Sequence, residues 1–369
     1  MSHSLKIVRE GLTEFFVPDD KGKVFFNPVM SLSRDISVLV VKSAKIKDFV
    51  DVLGATGARG LRIAKETSVD EVIINDLNRD AYNLIKQNIK HLKLKNAVAE
   101  NKEANLLLSE IAFHGKKGMI DIDPFGSPVY FLENGVRAVS KRGIIGFTAT
   151  DTAPLCGVYD KACFRKYNAH SLRVDYCHEV GLRILIATAM RIAGRHELSF
   201  TPIFSHSTDH YFRVYGLLRK GISLVDRIFK QIGYLNHCDC GKRELGEYKE
   251  KCGCGKKYLH AGPLWTGKLY DNDFFEEIFE KIRTTHINLK TKRLLERIKD
   301  EIEAPPLYFN VHKICKSMGI SSPPMEYLIE KLREESYIAT RTHFSPLAVK
   351  TDASIDKIKE ILRAYNLSQ

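Results

Sequence analysis

Asp51-Val52-Leu53-Gly54-Ala55-Thr56-Gly57-Ala58-Arg59-Gly60 is the stretch whose reading decides the fold. An apolar run over residues 46–53 has strand character, three glycines follow it, and a helical pattern begins at once. Glycine at such a junction lets the backbone turn sharply and approach a ligand closely. Further short strands are expected at Glu71-Val72-Ile73-Ile74-Asn75, Gly118-Met119-Ile120-Asp121-Ile122 and Gly143-Ile144-Ile145-Gly146-Phe147-Thr148, with a helix over residues 80–91 between the first two of them. Short apolar runs alternating with helical patterns predict βαβ units, hence an α/β, doubly wound, Rossmann-like domain around a parallel sheet. The glycines follow G-x-x-G-x-x-G, unlike the dinucleotide pattern, and no Lys-Ser/Thr pair of a phosphate loop comes next. Asp76 stands about 20 residues beyond Gly57, at the end of the second strand, where an acidic side chain meets ribose hydroxyls. Gly54, Gly57 and Asp76 therefore read as a nucleoside-type cofactor site. Glu103-Ala104 falls where a carboxylate and a backbone N–H could hold an adenine ring.

Asp123-Pro124-Phe125-Gly126 follows the strand that ends in Ile122, at the sheet edge where open α/β folds place their ligands. An exocyclic amine on a base is a poor nucleophile, because its lone pair is conjugated with the ring. A carboxylate and a backbone carbonyl that accept its two hydrogens orient it and take up the proton released on methylation. Asp123 is the candidate for that carboxylate, Pro124 fixes the backbone, and Phe125 offers a face on which a base can stack. The same logic serves an amine of adenine, cytosine or guanine in RNA or DNA, so the substrate stays open at this point, as does a nonenzymatic RNA-binding scaffold. Cys156, a second candidate nucleophile of the kind pyrimidine C5 chemistry uses, sits among Ala, Pro and Leu and reads as packing.

Lys plus Arg exceed Asp plus Glu by 12, which favours a polyanionic partner. The N-terminal residues lack the apolar core of a secretory signal, so a cytoplasmic location is expected. The most apolar helix-like run, residues 181–194, is interrupted by Arg183 and Arg191, so no membrane span is expected. Nothing in the chain implies a protein partner.

Farther along, a helix over residues 174–193 precedes two strands within residues 199–218, around a turn at His206-Ser207-Thr208-Asp209. Residues 1–219 form the expected cofactor-binding domain. Residues 220–270 read as a small insert, because Cys238-Asp239-Cys240 and Cys252-Gly253-Cys254 supply four thiols in two knuckles. In a reducing compartment that set suits a closed, structural zinc site, with His237 and His260 as possible substitutes. Residues 271–369 form the C-terminal domain. A charged helix is expected over residues 274–304, broken by Pro305-Pro306, then helices over 311–318 and 324–335, a strand over 337–341, a turn, and a last helix from Ser354. Two helices and a hairpin read as an α+β winged-helix-like module. Lys290, Lys292, Arg293, Arg341, His343 and Lys350 are its candidate phosphate-binding face.

Several blocks, in order, resemble the tRNA (guanine-26, N2)-dimethyltransferases. They are Phe26-Asn27-Pro28-Val29-Met30-Ser31-Leu32-Ser33-Arg34-Asp35, the glycine loop, Asn75-Asp76-Leu77, Asp121-Ile122-Asp123-Pro124-Phe125-Gly126-Ser127-Pro128, Thr148-Ala149-Thr150-Asp151-Thr152-Ala153-Pro154-Leu155-Cys156-Gly157, Cys177-His178-Glu179-Val180-Gly181, Asp209-His210-Tyr211-Phe212-Arg213, and residues 340–346. The resemblance implies a class I methyltransferase fold, S-adenosyl-L-methionine as cofactor, and transfer of one or two methyl groups to N2 of a guanine in tRNA. It further implies that Arg34, Arg59, Asp76, Glu103 and Ala104 contact the cofactor and that Asp123 is catalytic. The family often carries Asp where Glu103 stands.

Overall fold

The computed structural model describes residues 4–19 and 24–367; Met1-Ser2-His3, part of the N-terminal stretch read above, lie outside them. A hairpin of β1 (Leu5–Glu10) and β2 (Thr13–Pro18) and the helix α1 (Ser31–Ser43) precede the main sheet. Parallel strands β3 (Asp48–Asp51), β4 (Glu71–Asn75), β5 (Ala97–Glu100), β6 (Lys117–Ile122) and β7 (Val139–Ala149) are joined by α2 (Ala58–Glu66), α3 (Arg79–His91), α4 (Ala104–His114) and α5 (Val129–Ala138). Then α6 (Thr152–Leu155), α7 (Asp160–Tyr167) and α8 (Cys177–Gly194) lead to β8 (Leu198–Thr208) and β9 (Tyr211–Lys220). β9 runs antiparallel to both β7 and β8, so the sheet is mixed.

The seven strands lie in the order β5-β4-β3-β6-β7-β9-β8. The chain winds outward in one direction from β3 and in the other from β6, so the switch point lies between these two strands. Ligands of open α/β sheets bind beyond the carboxyl ends of the strands at that point. The glycine loop after β3 and Asp123 after β6 flank it.

Helix α9 (Ile222–Phe229) follows, then an antiparallel sheet of β10 (Ile232–His237), β11 (Arg243–Gly246) and β12 (Leu259–Trp265) in the order β11-β10-β12. Helices α10 (Asn272–Lys281) and α11 (Leu289–Glu301) pack with α1 on the main core. The last segment holds β13 (Phe309–Asn310), α12 (Val311–Met318), α13 (Met325–Glu334), β14 (Ala339–Thr342), β15 (Ser345–Thr351) and α14 (Ile355–Leu367). It has its own core, in which Val311, Leu328, Leu332, Val349, Ile358 and Leu362 are buried.

Where the chain departs from expectation, local chemistry gives the reason. Residues 274–304 form two helices, because Asn288 caps a fresh start by accepting the Thr291 N–H at 2.8 Å. The strand expected at residues 337–341 begins at Ala339, since Ser336 turns the chain with φ 66°. The turn between β8 and β9 falls at Asp209-His210, where Asp209 takes φ 51°. Among the described residues no helix is long and apolar enough to cross a membrane. Arg183, which interrupts the apolar run of α8, is buried in an ion pair with Glu179 one turn earlier.

Candidate active site

The site is assembled from loops at the carboxyl ends of β3, β4, β5 and β6. Gly57 caps α2 with φ 81°, a conformation that favours glycine. A Cβ on Gly54 would stand 2.8 Å from Ile74 Cγ2, so this loop can lie against β4 only with glycine there. The Gly54 N–H donates to the Asn75 carbonyl at 2.7 Å, and the Ala55 N–H donates to Asp76 Oδ2 at 2.8 Å. Asp76 Oδ1 accepts the Asn78 N–H at 2.8 Å. The amide of Asn75 donates to the carbonyls of Val52 and Lys102 at 3.0 and 3.1 Å, pinning three neighbouring loops together. Glu103 is exposed and caps α4, accepting the Leu106 N–H at 2.9 Å, and Ala104 follows it on the first helical turn. Gly54, Gly57, Asp76, Glu103 and Ala104 thus fall along the edges of three adjacent strands.

Across the switch point, Asp121 and Asp123 project from β6 and its following loop, two residues apart. Arg59, from the first turn of α2, donates through Nη2 to Asp123, and its Nε lies 3.3 Å from Asp121 Oδ1. Its Nη1 donates to Ser37 Oγ, whose oxygen lies 2.9 Å from the Tyr215 hydroxyl. Arg213 donates to the other oxygen of Asp121 and, at 2.9 Å, to Thr148 Oγ1. Burial alone would raise the Asp123 carboxyl, but Arg59, Arg213 and Thr148 outweigh it and hold the group below the usual carboxylate range. Asp51, at the end of β3, goes the other way. Burial, with Asp121 and Asp123 nearby, pushes it up to about 7 against the pull of Arg59 and the Gly60 N–H.

Pro124 is buried, while Phe125 is 77% exposed at the lip of the site. Its ring meets that of Phe25 edge to face, with centroids 4.7 Å apart. Gly126, at φ 81°, is pinned by the residue that follows β7: its N–H donates to Thr150 Oγ1 at 2.7 Å, and its carbonyl accepts the Thr150 N–H at 2.9 Å.

Arg34 is buried on α1, and its guanidinium forms a two-bond pair with Glu10 at 2.6 and 2.7 Å. The residues that sequence reasoning missed are Ser37, Asn75, Asp121, Arg213, Tyr215 and Thr150. Only the i, i+2 spacing of Asp121 with Asp123, and of Arg213 with Tyr215, signals a shared face. Two residues of the expected phosphate-binding face are corrected. The side chains of His343 and Lys350 are buried against Glu301 and Glu179, where the C-terminal segment packs on α8 and α11. Lys292 and Arg293 are exposed, and Lys290, also exposed, pairs with Asp209 at 2.7 Å.

The four cysteines of the insert meet. Cys238 and Cys254 Sγ lie 3.5 Å apart, Cys240 and Cys252 3.7 Å, and all four sulfurs lie within 4.8 Å of one another. The two knuckles repeat one backbone pattern, with Gly241 donating to the Cys238 carbonyl and Gly255 to the Cys252 carbonyl, both at 2.9 Å.

The family model for N2,N2-dimethylguanosine tRNA methyltransferases matches residues 5–363. The chain belongs to this family. It is 38% identical to a tRNA (guanine(26)-N(2))-dimethyltransferase of Thermococcus kodakarensis, covering 97% of this chain and 99% of that one. A Methanosarcina barkeri protein of the same name is also 38% identical, over 98% of this chain and 99% of its own. A solved complex of Trm1 from Pyrococcus horikoshii with S-adenosyl-L-methionine superposes with a TM-score of 0.89 at 36% identity, covering 97% of this chain and all of that one. The fold is that of a class I methyltransferase with a mixed central sheet.

Proposed function

We propose that this member of the N2,N2-dimethylguanosine tRNA methyltransferase family transfers methyl groups from S-adenosyl-L-methionine to the exocyclic N2 of guanine 26 in tRNA, once or twice. The observation that carries this reading is Asp123, held ionised by Arg59 at the switch point, beside the loop set of β3, β4 and β5. The names of the relatives support the same reaction.

The residues fit the cofactor by their chemistry. Gly54 and Gly57 leave room for close approach, Asp76 offers a carboxylate to ribose hydroxyls, and Glu103 with the Ala104 N–H suits adenine. Arg34 and Arg59 belong to the set by resemblance. Arg34 would engage a ligand carboxylate by exchanging Glu10, and a guanidinium does this with two parallel bonds. When bound, the cofactor supplies an electrophilic methyl on its sulfonium.

Everything else falls to the chain. Asp123 accepts a hydrogen of the target amine, turning its lone pair out of conjugation, and then holds the released proton on Oδ. Arg59 and Thr148 keep that carboxylate in place. Pro124 fixes the backbone, and Phe125 with Phe25 gives an aromatic face for a base drawn out of its stack.

We divide the chain into a methyltransferase domain over residues 1–219, an insert over 220–270 and a tRNA-binding domain over 271–369, the last with a winged-helix-like part from Phe309 onward. Cys238, Cys240, Cys252 and Cys254 fit zinc, because sulfurs about 2.3 Å from a tetrahedral ion stand about 3.8 Å apart. Four thiolates leave no open position, so the ion would cross-link the insert. The excess of 12 positive charges favours tRNA as partner.

The test is labelled methyl transfer to unmodified tRNA, to tRNA substituted at guanine 26, and to DNA. Incorporation into the first alone, abolished by Asp123→Ala with cofactor binding kept, is expected. Incorporation into DNA, or none anywhere, would overturn the reading.

A further inference from the structure

Strand alternation puts Tyr211, Arg213 and Tyr215 of β9 on one face, and two of the three are already engaged. Arg213 donates to Asp121, and the Tyr215 hydroxyl meets Ser37, the partner of Arg59. Tyr211 heads the row. Because β9 is antiparallel to β7, with Phe212 opposite Ala149, this end of the row lies at the carboxyl edge of β7, level with the loop that carries Asp123.

Tyr211 is only 3% exposed, yet its hydroxyl has no hydrogen-bond partner among the described residues. Its ring is held in place: His206 packs against it edge to face at 5.7 Å and is itself tied through Nδ1 to Thr208 Oγ1 at 2.8 Å. Burial, and after it the Asp123 carboxylate, keeps the phenol protonated, so it acts as a donor at neutral pH. Buried hydroxyls almost always have an acceptor. Among the described residues nothing accepts from it, although His206 Nε2 is likewise buried without a partner, and the charge it feels most is that of Asp123, on the loop where the target base would sit.

We infer that Tyr211 reads the substrate, its phenolic O–H donating to N3 of the target guanine, the ring acceptor next to the amine whose hydrogen Asp123 accepts. This rests on the guanine N2 reading above. One contact at Asp123 would leave the base free to pivot in its plane. A donor and an acceptor side by side fix the pivot and match an edge that carries an amine beside a ring nitrogen. Misplacement of a reacting group by a fraction of an ångström slows turnover, so the loss should appear in kcat.

The experiment compares the wild type with Tyr211→Phe on tRNA that carries guanosine or 3-deazaguanosine at position 26, the latter having C–H in place of N3. Removing the hydroxyl should slow turnover at saturating tRNA about tenfold, with cofactor affinity and melting temperature unchanged. The deaza base should slow the wild type by a similar factor and slow the variant no further. Additive losses would show that the phenol and N3 do not meet, and an unslowed Y211F on guanosine would equally overturn the inference. Either outcome leaves the parent reading standing if the wild type methylates guanine 26; a wild type that leaves it unmethylated overturns both.

Discussion

Arg59 grips the carboxylate of Asp123 through Nη2 while its Nε stays 3.3 Å from Asp121. One guanidinium, 5% exposed, therefore ties the helix after the glycine loop to the loop that carries the reacting carboxylate. The fork geometry matters as well as the charge, and lysine has only the charge. Arg59→Lys should cut turnover about tenfold or more with a smaller change in cofactor affinity, read by single-turnover methylation and by calorimetry. Equal losses in both would show that its cofactor contact, which the resemblance implies, outweighs its hold on Asp123.

The same pair sets a pH limit. Asp123 must be ionised to accept the amine hydrogen, and Arg59 is the largest influence opposing the effect of burial. In Arg59→Met that opposition falls away and burial raises the carboxyl. Activity then fades at a higher pH as the medium is acidified, so the acid limb of the pH–kcat profile should shift upward. A limb that stays put would show that another group holds the carboxylate down.

Much of this arrangement was legible in the sequence, for a physical reason. Strands β3, β4 and β6 are short apolar runs bounded by polar turns, and the glycine loop and Asp123 follow them directly. Helix α1 was not legible. It is buried nearly all round, from Leu32 to Val41, and its Val-rich run has no polar stripe to mark a helical period. The support behind Arg59 was hidden too, because its partner Ser37 and the Tyr215 hydroxyl that Ser37 meets are 178 residues apart in the chain. Lys350 and His343 looked like surface cations for the same reason, their carboxylates being supplied by distant helices.

Glu179 anchors the C-terminal segment to α8. It accepts from Arg183 at 2.7 Å, from the Leu307 N–H at 3.0 Å, and pairs with Lys350 at 3.2 Å. Burial would raise its carboxyl, but Lys350, Arg183 and the Leu307 N–H outweigh that and lower it to about 2. A folded-state pKa below the unfolded one adds stability above about 4.5 that is lost as pH falls toward 2. Glu179→Gln should lower stability by on the order of 3 kcal/mol at neutral pH, with the gap from wild type closing through that acid window in denaturant titrations. A gap independent of pH would show that the charge contributes nothing.

Zinc in the insert should act on the joint between domains rather than on chemistry. Arg243, on β11 between the two knuckles, donates to the Tyr308 carbonyl at 2.6 Å and covers the ring of Phe309. Elemental analysis should find one zinc per chain, and Cys252→Ser should abolish it. Its loss should lower the melting temperature and weaken tRNA binding while cofactor affinity holds. Protein purified without chelators and free of zinc at full stability would sink the assignment.

The aromatic lip makes a separable prediction about base capture. Phe125 is the exposed member of Asp123-Pro124-Phe125-Gly126, and its contact with Phe25 leaves a ring face free at the mouth of the site. Base–aromatic stacking contributes about 1–3 kcal/mol per base. Phe125→Ala should therefore reduce kcat/KM for tRNA by roughly 10- to 100-fold, since a tenfold change corresponds to about 1.4 kcal/mol. Cofactor affinity should not move, because Phe125 lies across the switch point from Gly54, Asp76 and Glu103. Phe125→Leu separates ring from bulk: leucine fills similar space without a π face, so a stacking role predicts that it recovers little of the loss. Recovery to wild-type kcat/KM in the leucine variant would mean that Phe125 is apolar cover for the loop and that the base is held elsewhere.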